Sequence, residues 1–156
     1  PALPARVIGE DASSWFRTVV LDKGSRDGLR EGMPVVAAKG GVGRVVKVAP
    51  DASRVLLITD GSSAVAALVQ RNRTRGVCRG QGDSLSLQFA LRQKDVAVGD
   101  RVITSGTGGI FPKGLVIGQV TEVSKESFGL FQTIKLDPAV DFSRLEEVLV
   151  LLKEKP

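Results

Sequence analysis

The chain repeats itself, and the repeat restricts what it can fold into. Glu31-Gly32-Met33-Pro34-Val35-Val36, then Gly40-Gly41 and Gly43-Arg44-Val45-Val46-Lys47-Val48, has a later counterpart. That counterpart is Val98-Gly99-Asp100-Arg101-Val102-Ile103, then Gly108-Gly109 and Gly118-Gln119-Val120-Thr121-Glu122-Val123. Each copy runs turn glycine, short strand, glycine pair and a G-x-V-x-x-V strand. A further strand ending in Asp follows each, at 54–60 and at 132–137. The second copy carries an insertion, Ile110-Phe111-Pro112-Lys113-Gly114, between glycine pair and strand. Two related halves follow, with the insertion as the feature that sets them apart.

The halves read as β. With 18 Gly, no Tyr and only 4% aromatic residues, the core must be built from Val, Leu and Ile between many turns. A chain of 156 residues buries roughly 68–70% of its unfolded surface, enough for one sizeable core or two small ones. Strands are expected at 5–9, 15–22, 35–38, 42–48 and 54–59. The polar turn Asp60-Gly61-Ser62-Ser63 is the best internal boundary, and strands at 64–70, 74–79, 84–91, 101–105, 116–123 and 131–137 lie beyond it. Turns recur at roughly 8–12-residue intervals, the spacing of sandwiches and barrels. Pro34 cannot donate to a sheet ladder and belongs at the start or edge of its strand. Leu85, Leu87 and Phe89 alternate onto one apolar face. Near the C-terminus, Ser143 and Glu146 fit a capping box over a helical turn at 142–146, followed by a strand and a frayed tail at 153–156. The expected division is a first barrel lobe over 1–63, completed by 140–152, and a second over 64–139. No window approaches the ~18 consecutive apolar residues of a membrane span, no signal-peptide pattern opens the chain, and the abrupt start at Pro1 suggests a piece of something longer.

The residue inventory narrows the chemistry. Zero His excludes a Ser-His-Asp or Cys-His arrangement and removes the commonest metal ligand. Without His, Ser105 would need a Lys or a carboxylate as its base, as in a dyad with Lys113, and it reads more simply as a turn residue. The glycine-rich run from Gly106 to Gly114 has Gly after Lys, and a β segment after that, so it is not a P-loop. The lone Cys78 reads as a buried structural thiol. Neither cofactor nor metal is expected, and no enzyme activity. The net charge of +5 keeps a nucleic-acid module open as the alternative. Arg71, Arg73 and Arg75 would share one face if extended, with Arg79 nearby. Against that, no aromatic residue interleaves the run for base stacking, and the bland reading is a basic edge that keeps strands unpaired. Ile110, Phe111, Phe128, Leu130 and Phe131 are large apolar residues beside glycines in turns. They are either core plugs or partner contacts.

Four blocks together carry a family resemblance: the runs from Trp15 to Val36 and Ser53 to Asp60, SGTGGIFPKGLVIGQV from Ser105, and Asp137 to Leu151. They resemble the extracytoplasmic part of the bacterial rod shape-determining MreC proteins, whose GGxFPKG loop is intact here as Gly108 to Gly114. The resemblance implies an all-β fold of two small six-stranded-type β-barrel lobes, like the chymotrypsin architecture without its catalytic residues. It implies a non-enzymatic scaffold of the cell-wall elongation machinery that self-associates as dimers or filaments. The implied partners are the penicillin-binding transpeptidase of that machinery and, in the wider complex, MreD, RodA and MreB. It further implies an N-terminal membrane helix and coiled coil outside this sequence, and a periplasmic or extracytoplasmic location.

Overall fold

A computed structural model describes residues 1–12, 16–126 and 128–152. Within it the chain forms two closed six-stranded antiparallel barrels, the architecture expected from the resemblance. The strands are β1 (Ala2–Ala12), β2 (Arg17–Leu21), β3 (Pro34–Ala37), β4 (Gly40–Val48), β5 (Ser53–Leu57) and β6 (Ala64–Val69). They continue as β7 (Arg75–Gly80), β8 (Leu85–Gln88), β9 (Arg101–Thr104), β10 (Val116–Ser124), β11 (Thr133–Pro138) and β12 (Glu147–Leu151). One barrel runs β1-β12-β3-β4-β5-β2 and the other β7-β6-β9-β10-β11-β8. β12 therefore occupies in the first barrel the place that β6 holds in the second. It pairs with β1 from Ala2↔Leu151 to Arg6↔Glu147 and with β3 at Val150↔Val35.

The repeat is a repeat of geometry. β4 and β10 each carry two bulges at equivalent positions: at Val42 and Ile117 on one side, and at Val46 and Thr121 on the other. Gly32 N–H donates to Val45 O at 2.8 Å, as Gly99 N–H does to Val120 O at 2.8 Å. Gly43 and Gly118 sit between the bulges. A Cβ on Gly43 would lie 2.0 Å from Leu56 O, and one on Gly118 would lie 2.2 Å from Asp137 O. Both strands bend where a neighbour's carbonyl presses against the chain, and only glycine leaves room for it. Bulges and glycines of this kind curl a sheet enough to close it.

Closure gives each barrel its own core. Val19, Leu21, Val35, Val45, Val55 and Val150 fill the first, and Val69, Leu85, Leu87, Val102, Ile134 and Leu136 fill the second. The barrels also exchange residues. Ile58, just past β5, belongs to the second core, while Val140, just past β11, belongs to the first. Phe142 packs against both. Ile58 N–H donates to Val42 O and Ala139 N–H to Ile117 O, each at 2.9 Å, so both crossovers are pinned to equivalent bulges. Cys78 is buried, and burial pushes its thiol up to about 12.

Some expected elements shift. β1 is longer than 5–9 because its second half pairs with β2 through Asp11↔Thr18. β8 stops at Gln88: Phe89 has φ +66° and is 56% exposed, so it does not continue the apolar face of Leu85 and Leu87. The turn near the C-terminus is a 3₁₀ turn at Phe142–Arg144, and its cap is Asp141, which accepts from Ser143 N–H at 3.0 Å. The capping box from Ser143 to Glu146 is not formed. Pro34 opens β3, opposite Arg44. Residues 13–15, which include the expected start of the second strand at Trp15, and the tail at 153–156 lie outside the described residues.

The junction at Asp60 ties the barrels together. Its buried carboxylate accepts Arg17 N–H at 2.7 Å from β2 and Ser62 N–H at 2.8 Å, with the Ser62 hydroxyl as a third donor. Burial works against its ionisation, yet the donors from Ser62 and Arg17 outweigh it and hold the carboxyl below the usual carboxylate range. Gly80 of β7 lies against the same junction, where a Cβ would stand 2.1 Å from Asp60 O.

Two predictions follow from these contacts. Gly43→Ala and Gly118→Ala each cost about 3 kcal/mol by forcing the strands apart, lowering Tm by about 6–12 °C in calorimetry. Gly61→Ala, where a Cβ meets open space, leaves Tm unchanged. Asp60→Asn places an N–H group against existing donors and costs about 1–3 kcal/mol at neutral pH. Because the folded pKa is depressed, that stabilisation is present above the unfolded value near ~4 and is lost as pH falls through the folded value. Denaturant titrations of both proteins between pH 7 and pH 3 should show the gap closing on the acid side.

Candidate protein-binding surfaces

The loop joining β9 to β10 is built on Thr104, which is buried. The Thr104 hydroxyl donates to Pro112 O at 2.6 Å and accepts from Leu115 N–H at 2.9 Å, while Thr104 O accepts Gly114 N–H at 2.9 Å. Gly106, Gly108, Gly109 and Gly114 all adopt positive φ, which lets the insertion turn tightly. Phe111 folds back onto the second core as a half-buried plug. With Ile110 it lines a cleft of about 300 Å³ against Gly43, Arg44 and Leu56 of the first barrel. The Ser105 hydroxyl accepts Thr107 N–H at 3.3 Å, and Ser105 N–H donates to Ala66 O at 3.0 Å. Turn geometry accounts for the serine.

Phe128, Leu130 and Phe131 lie elsewhere. Phe128 and Leu130 are 77% and 71% exposed, and Phe131 is partly exposed. Their loop is held from beneath. Arg92 donates to Gly129 O at 3.2 Å and Glu126 O at 3.3 Å, and its N–H bonds Leu130 O at 2.8 Å. Gln132, itself buried, donates from its amide to Leu91 O and Lys94 O, both at 2.9 Å. Phe131 meets Phe89 edge to face, ring centroids 5.5 Å apart at 84°. Phe89 and Leu91 thus extend the group, and sequence reasoning placed Phe89 on the wrong face. A bulky residue at φ +66° is strained, and here the strain holds an aromatic ring at the surface. The five apolar candidates therefore fall on two surfaces: Ile110 and Phe111 in a cleft, Phe128, Leu130 and Phe131 on an exposed loop.

The four arginines are divided between a turn and a strand. Arg71 and Arg73 lie in the turn between β6 and β7, with Arg73 at φ +63°, whereas Arg75 and Arg79 belong to β7. Arg71 is held by two carboxylates, bidentate to Asp100 at 2.9 Å and 2.9 Å, and bonded to Asp95 at 2.9 Å. These partners raise its pKa and hold Asp100 below the usual carboxylate range. Arg79 donates to Gln88 at 3.2 Å. Asp100 also accepts Ala97 N–H, and Asp27 accepts Gly24 N–H, each bonding within its own turn.

Comparison with known proteins agrees with this architecture. The family model "Rod shape-determining protein MreC, barrel core" matches residues 7–152. The cell shape-determining protein MreC of Escherichia coli is 42% identical over 148 residues, covering 94% of this chain and 40% of that protein. The crystal structure of MreC from Pseudomonas aeruginosa superposes with a TM-score of 0.94 at 33% identity, over 97% of this chain and 99% of that one. A third structure shares the fold, with a TM-score of 0.77 at 20% identity over 99% of both chains. It is MreC from Helicobacter pylori in complex with Penicillin-Binding Protein (PBP2). The chain spans about two fifths of the length of the E. coli relative. With two barrels closed at equivalent glycines and a family match over nearly every strand, this chain belongs to the MreC family of rod shape-determining proteins.

Proposed function

We propose that this chain is the protein-binding part of a non-enzymatic cell-shape scaffold, and that it docks the penicillin-binding transpeptidase of the elongation machinery. The observation that carries the reading is the apolar group of Phe128, Leu130 and Phe131, joined by Phe89 and Leu91, on the surface of the second barrel. Apolar residues grouped on a rigid support are the usual anchors of a protein interface. Arg92 and Gln132 hold the loop in place, so little ordering is needed on binding. The Helicobacter pylori relative binding PBP2 supports the choice of partner. The scaffold sits on the periplasmic or extracytoplasmic face of the inner membrane, self-associates, and works alongside MreD, RodA and MreB. Ile110 and Phe111 offer a secondary contact at the cleft. Arg71 is already spent on Asp95 and Asp100, which argues against a phosphate-tracking stripe through Arg71, Arg73, Arg75 and Arg79.

Phe128→Ser combined with Leu130→Ser tests the reading. Both side chains are exposed, so the variant keeps its Tm, while affinity for the purified transpeptidase ectodomain falls at least about tenfold in calorimetric titration. Unchanged affinity would remove this surface. Phe111→Ser should instead lower stability by about 1–3 kcal/mol, because it opens part of the second core.

A further inference from the structure

Arg71 stands at one end of a continuous set of hydrogen bonds whose other end is the Phe128 loop. Its own turn, between β6 and β7, is fixed from both sides. Gln70 N–H donates to Arg101 O at 2.8 Å, and Asn72 Oδ1 accepts the N–H and the hydroxyl of the buried Thr74, at 3.2 Å and 2.8 Å. From that base Arg71 commits four of its five guanidinium N–H groups. Nε and Nη2 grip Asp100, whose side chain is only 10% exposed. Nη1 and the second N–H of Nη2 grip Asp95, at its carboxylate (2.9 Å) and at its backbone O (3.1 Å). The Asn72 amide donates to that same Asp95 O.

The residue before Asp95 is the one to which the apolar loop is tied. Lys94 O accepts the Gln132 amide at 2.9 Å and Lys125 Nζ at 3.2 Å. Lys125 and Gln132 stand immediately before and after residues 126–131, so a single carbonyl holds both ends of the segment that carries Phe128, Leu130 and Phe131. Gln132 is 3% exposed, and its amide cannot trade that carbonyl for water. Residues 93–95 are themselves exposed and belong to no strand. Their position therefore depends on what grips them, and a planar guanidinium fork fixes direction as well as distance.

We infer that Arg71 is a positioning residue for the docking surface. By gripping Asp95 against Asp100 it sets the place of Lys94 O, and through Lys94 O the place of the loop at 126–131. A loop held in advance loses less freedom when its partner arrives, so a side chain outside the apolar group governs the affinity of that group. The effect on affinity rests on the transpeptidase reading above; the grip on the loop does not.

Arg71→Gln removes the fork from a side chain that is 45% exposed, so the variant folds. Amide hydrogen exchange reads the grip directly. The N–H groups of Arg92 and Gln132, bonded to Leu130 O and Ala90 O, exchange about tenfold faster than in the parent, while those of β4 keep their rates. Affinity for the purified transpeptidase ectodomain falls about fivefold. Arg71→Lys keeps the charge but not the fork, and shows both losses. Affinity restored by lysine would mean that charge acts rather than position, and would overturn the inference. With Phe128→Ser and Leu130→Ser already present, Arg71→Gln costs nothing further, because the group it positions is gone. A full fivefold loss in that background would make Arg71 a contact in its own right, which also overturns the inference. So would parental exchange rates in Arg71→Gln, whatever the affinity. Undiminished affinity in Phe128→Ser with Leu130→Ser alone strikes the docking reading instead, and with it the effect on affinity, while the exchange rates still decide whether Arg71 holds the loop.

Discussion

Two backbone carbonyls, Leu56 O and Asp137 O, press against Gly43 and Gly118, and the rest of the molecule depends on that fit. Closure leaves none of the twelve short strands with an unpaired edge that would invite association. Closing six strands into a small barrel demands sharp bends, and β4 and β10 supply them at paired bulges with a glycine between. Once closed, each barrel leaves its fifth strand at the same place. The chain there carries Ile58 or Val140 into the neighbouring core. The crossovers, pinned at Val42 O and Ile117 O, thus tie the two small cores together. Phe142, touching both cores, closes the seam.

The features legible in the sequence are those with a local cause. Gly32 and Gly99 announce equivalent turns because both need positive φ, and Pro34 announces a strand start because it lacks a donor. Cys78 reads as buried because a lone thiol in an apolar strand is most simply structural, and it is buried. The features not legible have distant causes. Phe89 follows Leu85 and Leu87 in perfect alternation, yet the chain must leave the barrel there to reach Leu91 and its bridge to Phe131. Arg71 looks like one of a basic run until Asp95 and Asp100, from the next connection but one, arrive beside it. Local pattern describes propensity; these positions are decided by what the topology brings opposite them.

The same distinction governs the surfaces. Apolar residues in glycine-flanked turns are visible in the sequence as a class, but their fates diverge. Phe111 sits on a loop whose base is clamped by Thr104 and folds inward. Phe128 and Leu130 sit on a loop supported from below by Arg92, whose bonds to Gly129 O and Glu126 O leave the side chains facing out. What separates plug from contact is the side of the loop on which its hydrogen-bond support stands.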